Sequence, residues 1–310
     1  MQLGVVDQSP IPAGSTYADA LANTVDLARR CEALGYSRYW VAEHHASEGL
    51  AGTSPEILIG HLATATSSIR LGSGGVMLTH YSPLKVAETF RMLCVLHGQR
   101  IDLGVGRAPG SDHRTMLALA RGGALADIRF YPNMVDELVQ LLDGVAPVWI
   151  LASSVDSASY AAHLGLPLSW AYFITTTDGG PVLAAYRAQY RPSPSCPDPV
   201  SNIGVSVICG DTDADAERIA SSVRLWRRLG LRGPIPSLDE ARAAGVDARL
   251  DVMPGRQAMV VGSPERCAEA LTAIAGHHGV DEVLVVTICH RHDDRVRSYE
   301  LLAKVFGLTT

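Results

Sequence analysis

The stretch Tyr39-Trp40-Val41-Ala42-Glu43-His44-His45 decides how this chain reads. Four apolar residues, three of them aromatic or β-branched, end abruptly in a carboxylate and two imidazoles. An apolar run without polar alternation is a strand buried on both faces, as in a parallel sheet. A parallel barrel presents its chemistry at the C-terminal tips of such strands. Glu43, His44 and His45 are therefore candidate catalytic residues, with a hydrogen-bonded strand end as the plainer alternative.

Seven more apolar runs share this character: Leu3 to Val6, Arg70 to Leu78, Ile101 to Val105, Val148 to Ala152, Ser169 to Phe173, Ile203 to Cys209 and Glu282 to Ile288. Segments of helical period separate them, which is the βα rhythm of a parallel sheet. Eight units predict a single-domain α/β fold over 1–310, a (β/α)8 TIM barrel. A doubly wound sheet is the weaker option, because no glycine-rich dinucleotide turn follows the first strand. Ser54-Pro55, Ser82-Pro83 and Ser263-Pro264 mark helix starts, each with a cap residue ahead of proline. Thr212 to Asp215 resembles a capping box with Asp in place of Glu. Gly230 to Gly262 is too long for an ordinary connection, so a lid or insertion is expected between strands seven and eight.

Hydrophobic residues make up 47% of the 310, enough for a sizeable core. A net charge of -6 argues against nucleic acid or an anionic membrane surface as partner. No apolar run reaches the length of a membrane span, and the N-terminus lacks signal-peptide features. The six cysteines, at 31, 94, 196, 209, 267 and 289, form no C-x-x-C pair. They read as reduced core residues of a cytoplasmic enzyme.

Two strand tips look like an anion site. Arg107, after strand four, carries a permanent fork-shaped charge that matches phosphate oxygens. Ala152-Ser153-Ser154, with Ser157 beyond, is a strand, a hydroxyl-rich turn and a helix start, where free N–H groups receive anions. The same serines are also ordinary capping residues. Gly104 to Gly110 is spaced G-x-G-x-x-x-G and interrupted by Arg and Pro, so it is discounted as a nicotinamide site. No metal site is expected: His44 and His45 are adjacent on a strand end, and His290 and His292 lie near the chain end.

Taken together, "LGVVDQSPIPAGST" (3–16), "LGYSRYWVAEHH" (34–45), "IRLGSGGVML" (69–78), "GRAPGSDHRT" (106–115), "LASSVDSASYAAHLGLP" (151–167), "VVGSPE" (260–265) and "RSYELLA" (297–303) resemble the bacterial-luciferase-like flavin monooxygenases. The resemblance spans nearly the whole chain in the family's order. It implies a TIM barrel using reduced FMN as co-substrate and O2, through a flavin C4a-(hydro)peroxide. His44 falls on the catalytic imidazole, flanked by Glu43 and His45, and would act as a base of near-neutral pKa. Arg107, Ser153, Ser154 and Ser157 match phosphate-holding positions. Gly74-Gly75 matches a cis peptide beneath the flavin ring. The substrate is expected to be a small organic molecule, with aromatic and polyketide chemistry among relatives in secondary metabolism.

The chain departs from relatives at Ala171-Tyr172-Phe173, where paired histidines are common. It also departs at the short connection Gly144 to Pro147, and at Gly106, where the luciferase α subunit has a reactive cysteine. Long-aldehyde luminescence is not implied. With no nicotinamide site in view, a separate NAD(P)H:flavin reductase is expected. A homodimer is expected through Ile57, Leu58, Leu62 and Phe90. The rival functions are an F420-dependent oxidoreductase of the same fold and a non-catalytic flavin-binding paralogue.

Overall fold

Along β1 (Gln2–Asp7), Leu3 and Val5 pack into one apolar cluster and Val6 into another. The same two-residue period recurs in β2 (Arg38–Val41), where Tyr39 and Val41 face one way and Trp40 the other. Burial on both faces is what made these strands near-continuously apolar. A computed structural model describes residues 1–107, 113–120, 127–246 and 259–308.

The chain then runs on through α1 (Tyr17–Ala33, between β1 and β2), α2 (Pro55–Ala65), β3 (Arg70–Ser73), β4 (Val76–Met77), α3 (Pro83–His97) and β5 (Ile101–Gly106). Next come α4 (His113–Leu119), α5 (Tyr131–Leu142), β6 (Val148–Ala152), α6 (Val155–Leu164), β7 (Leu168–Trp170), α7 (Gly179–Gln189) and β8 (Ser201–Cys209). The last part holds α8 (Asp213–Arg228), α9 (Leu238–Ala243), β9 (Val260–Gly262), α10 (Pro264–His278), β10 (Glu282–Val286) and α11 (His292–Phe306).

All strand pairings are parallel, and β10 pairs with both β1 and β8, which closes an eight-stranded barrel. The eight expected strands are therefore present, with three differences. The third is broken into β3 and β4 by the cis Gly74–Gly75 peptide. The sixth stops at Trp170 and passes into a 3-10 turn, Tyr172–Ile174. The expected insertion contains α9 and the short β9, which pairs with β8 from Val207 to Cys209. Residues 247–258 of that insertion lie outside the described residues, as do 108–112 after strand four.

Proline sets the expected helix starts, but Ser54, Ser82 and Ser263 make no side-chain cap bond. Thr212 does cap α8, accepting from the Asp215 N–H. All six cysteines are free and buried. No helix among the described residues is long and apolar enough to cross a membrane.

Two polar clusters fix the ends of the barrel. Near the strand starts, Arg38 bridges Asp102 and Glu282, each at 2.8 Å, and so ties β2 to β5 and β10. At the tip of β1, the fully buried Asp7 takes hydrogen bonds from Arg295 of α11, the Tyr39 hydroxyl and the Ser9 N–H. Burial works to raise the Asp7 carboxyl, but these donors, Arg295 foremost, hold it below the usual carboxylate range. Arg295 is itself buried, so the pair must be kept or removed as a unit. Arg295→Met is expected to lower the unfolding free energy by about 3–5 kcal/mol in urea titration, with a good part restored by adding Asp7→Asn. A loss below about 1 kcal/mol in the single variant would show the pair to be dispensable.

Candidate active site

The C-terminal strand ends surround two adjoining cavities. One, of about 320 Å³, is lined by Gly74, Gly75, Gly106, Arg107, Ser153, Ser154 and Ser157, with Leu151 and Ala171. The other, of about 500 Å³, is lined by His45, Leu50 and Ser206, by Val223, Trp226 and Arg227 of α8, and by Val286 and Ile288. Gln8, His44, Phe173 and Ile174 belong to both and form the wall between them.

Close backbone approach shapes the smaller cavity. A Cβ at Gly75 would run into the Leu151 side chain and the Gly104 carbonyl, and one at Gly104 into the Ser73 carbonyl. Only glycine lets these segments lie so close. At the opposite end, the Arg107 guanidinium donates to the Ser154 hydroxyl at 3.3 Å. Ser154 is the N-cap of α6, accepting from the Ser157 N–H, and its hydroxyl lies 3.2 Å from that of Ser157. The capping and anion readings thus apply to one residue at once, because the helix start that needs a cap also points free N–H groups at the cavity. Among the expected phosphate positions, Arg107, Ser153, Ser154 and Ser157 stand together.

The strand-two tip splits into two roles. Glu43 is buried and lines neither cavity. Its carboxylate accepts from the Met77 N–H at 3.0 Å, from the Tyr81 hydroxyl at 2.7 Å and from His45 Nε2 at 2.7 Å. It therefore fixes the strand-three tip and aims His45, rather than meeting a ligand. His44 faces both cavities, and its buried Nδ1 has no partner among the described residues. Burial, with a smaller push from the neighbouring His45, lowers its pKa to about 4. The near-neutral value expected from the sequence assumed a solvated tip. At physiological pH the imidazole is neutral and keeps a lone pair for a proton.

Several lining residues were not legible in advance. Arg227 sits in Arg224-Leu225-Trp226-Arg227-Arg228, which reads like any solvated helix face, yet it is buried and donates to Ser206 at 3.4 Å. Gln8 was visible as a strand-one tip, but nothing in the sequence set it apart from Asp7, which Arg295 occupies.

The profile of the luciferase-like monooxygenases matches residues 1–282. This chain belongs to that family. It is 37% identical to the luciferase-like monooxygenase of Escherichia coli (strain K12), covering 97% of this chain and 96% of that protein. Identity to the N-acetyl-S-alkylcysteine monooxygenase of Bacillus subtilis (strain 168) is 33%, over 98% and 97%. The crystal structure of apo-MsnO8 superposes with a TM-score of 0.93 at 40% identity, covering 99% of each chain. More distant luciferase-like structures that share the fold at 19% and 13% identity were solved with FMN, in the oxygenating constituent of 3,6-diketocamphane monooxygenase, and with an F420–acetone adduct, in a secondary alcohol dehydrogenase.

The depressed His44 pKa has a consequence for stability. The unfolded chain takes up this proton near pH 6.5 and the folded chain only near 4, so protonation favours unfolding. Above about pH 6.5 the group adds no pH dependence; below it, stability falls until the folded pKa is reached. The stability difference between wild type and His44→Asn is expected to drop by up to about 3 kcal/mol from pH 7 to pH 4. Parallel curves for the two proteins would show an imidazole of ordinary pKa.

Proposed function

We propose that this chain is an oxygenase that uses reduced FMN and O2 to oxidise a small organic substrate. The observation that carries the reading is the polarity of the smaller cavity. One end gathers a guanidinium, three serines and a helix N-terminus. The other is a glycine pair beside an imidazole that burial keeps neutral. A flat ring on a phosphate-tipped chain fits both ends. When bound, reduced flavin supplies the electrons that make O2 reactive.

The remaining tasks fall to the chain. Arg107, Ser153, Ser154 and Ser157 hold the phosphate. Gly74 and Gly75 bring backbone to the ring. His44, in the shared wall, is the imidazole placed to move a proton next to both cavities. Leu50, Val223, Trp226, Val286 and Ile288 give the larger cavity an apolar side for the substrate, facing Ser206, His45 and Arg227 on its polar side. Gly230 and Leu231 also line it, which supports a covering role for the start of the segment after α8. A small substrate is consistent with the name of the N-acetyl-S-alkylcysteine monooxygenase relative.

Titration with FMN, riboflavin and F420 tests the reading. Arg107→Met is expected to weaken FMN by about tenfold or more, the scale of a lost charge-assisted contact, and to leave riboflavin unchanged. Equal weakening of both would put the phosphate elsewhere, and F420 binding tighter than FMN would make the chain a deazaflavin enzyme. Turnover from FMN, NADPH and O2 is expected to need an added NAD(P)H:flavin reductase.

The same reading includes a homodimer, though not through the residues first expected. Leu58, Leu62 and Phe90 are core residues, and of the four named only Ile57 is exposed. The apolar surface lies on α3 instead. Leu84, Met92, Val95 and Leu96 are all exposed, Val95 at 79%, and recur at helical spacing. Beside Ile57, a groove of about 480 Å³ runs between α1 and α2. Light scattering at micromolar concentration is expected to give twice the chain mass, and Met92→Glu with Val95→Glu to halve it. A wild-type monomer would remove the dimer.

A further inference from the structure

We propose that Asp178, His277 and His278 form a site for a divalent transition-metal ion of the zinc type, which clips the start of α7 to the end of α10. None of the three lines either cavity. Each offers one ligand atom, and all three atoms lie within 4.8 Å of one another. Two imidazole nitrogens and one carboxylate oxygen are a set that zinc accepts, with water completing the shell. Asp178 and His277 are more than half exposed, which leaves room for that water and a path for the ion.

His278 carries the argument. Its Nδ1 donates to the Ile274 carbonyl at 2.7 Å, which fixes the proton on that nitrogen and leaves the lone pair on Nε2. Nε2 is buried and has no hydrogen-bond partner among the described residues. A buried acceptor left bare is unfavourable. A metal-binding histidine characteristically gives its other N–H to a backbone carbonyl, as His278 does.

The other two groups are positioned to meet it. Asp178 Oδ1 accepts from His277 Nε2 at 2.8 Å and from the Gly180 N–H at 3.0 Å. The His277 and His278 rings stand edge to face, 4.9 Å apart. A Cβ at Gly180 would lie 2.7 Å from His277 Nε2, and one at Gly179 2.8 Å from His278 Cδ2. The glycine pair is what lets the start of α7 reach both imidazoles. Zn–N distances of about 2.0–2.1 Å set tetrahedral ligand atoms roughly 3.3 Å apart, so the 2.8 Å Asp178–His277 pair opens slightly and His278 closes on them by side-chain rotation. A water shared with the Trp170 indole N–H, which is also unpartnered, is the competing way to satisfy His278.

Tag-free protein, freed of metal by chelator, should be titrated with cobalt(II) and zinc. One equivalent is expected to bind with a Kd on the order of micromolar, giving the visible d–d bands of a low-coordinate cobalt(II) site. At a hundredfold excess over Kd, Tm should rise by roughly 4 °C. His277→Ala and Asp178→Asn should each weaken binding about tenfold or more. His278→Gln should do the same, but because His278 is buried the exposed His277 variant decides. No cobalt spectrum and no Tm shift up to millimolar metal would overturn the proposal in favour of the shared water. Binding undiminished in His277→Ala would overturn it too.

Discussion

The barrel depends on one seam. Its first strand, β1, pairs in parallel with its last, β10, from Gln2 against Glu282 to Val5 against Val285. These residues are some 280 positions apart, so the closing contact is far from local in the chain. Asp7 and Arg295 reinforce it by tying the tip of β1 to the final helix, with Tyr39 of β2 joined to the same carboxylate. Once the seam is made, every strand runs the same way and all the C-terminal tips meet at one mouth. The two cavities, the serine turn and His44 are consequences of that closure.

Much of this was legible because burial on both faces leaves a plain mark on composition. Val283 and Val285 pack against the helices while Leu284 and Val286 fill the interior, so the strand is apolar throughout. Breaks in that pattern were harder to see. The interruption between β3 and β4 is a matter of backbone conformation at two glycines. The three residues of β9 are too few to register. Helix faces failed for another reason: α2 reads Pro-Glu-Ile-Leu-Ile-Gly-His-Leu, with apolar residues on more than one side. Which side meets a neighbour is then decided by that neighbour, and Ile57 turned out while Leu58 and Leu62 turned in.

The candidate site divided along similar lines. Residues at strand tips announced themselves by position, and Arg107, Ser153, Ser154 and Ser157 all line the smaller cavity. Residues that reach the mouth from elsewhere did not. Arg227 comes from a helix, and its burial is set by the cavity rather than by its neighbours in sequence. Asp178 and His277 are 99 positions apart, and no local pattern links them. The environment of His44 was equally hidden: an imidazole at a strand tip is solvated or dry according to what covers it. Here burial decides in favour of the neutral form.

The wall between the cavities also sets how this scaffold can diversify. Leu50, Val223, Trp226 and Ile288 belong to the larger chamber alone, whereas Gly74, Gly75 and the serine turn belong to the smaller one. Drift at the first group resculpts one compartment without disturbing the other. Among the described residues only Gln8, His44, Phe173 and Ile174 are shared, and a change there is felt on both sides at once. A lineage built on this plan can therefore explore new molecules through a handful of side chains while its inherited chemistry stays intact.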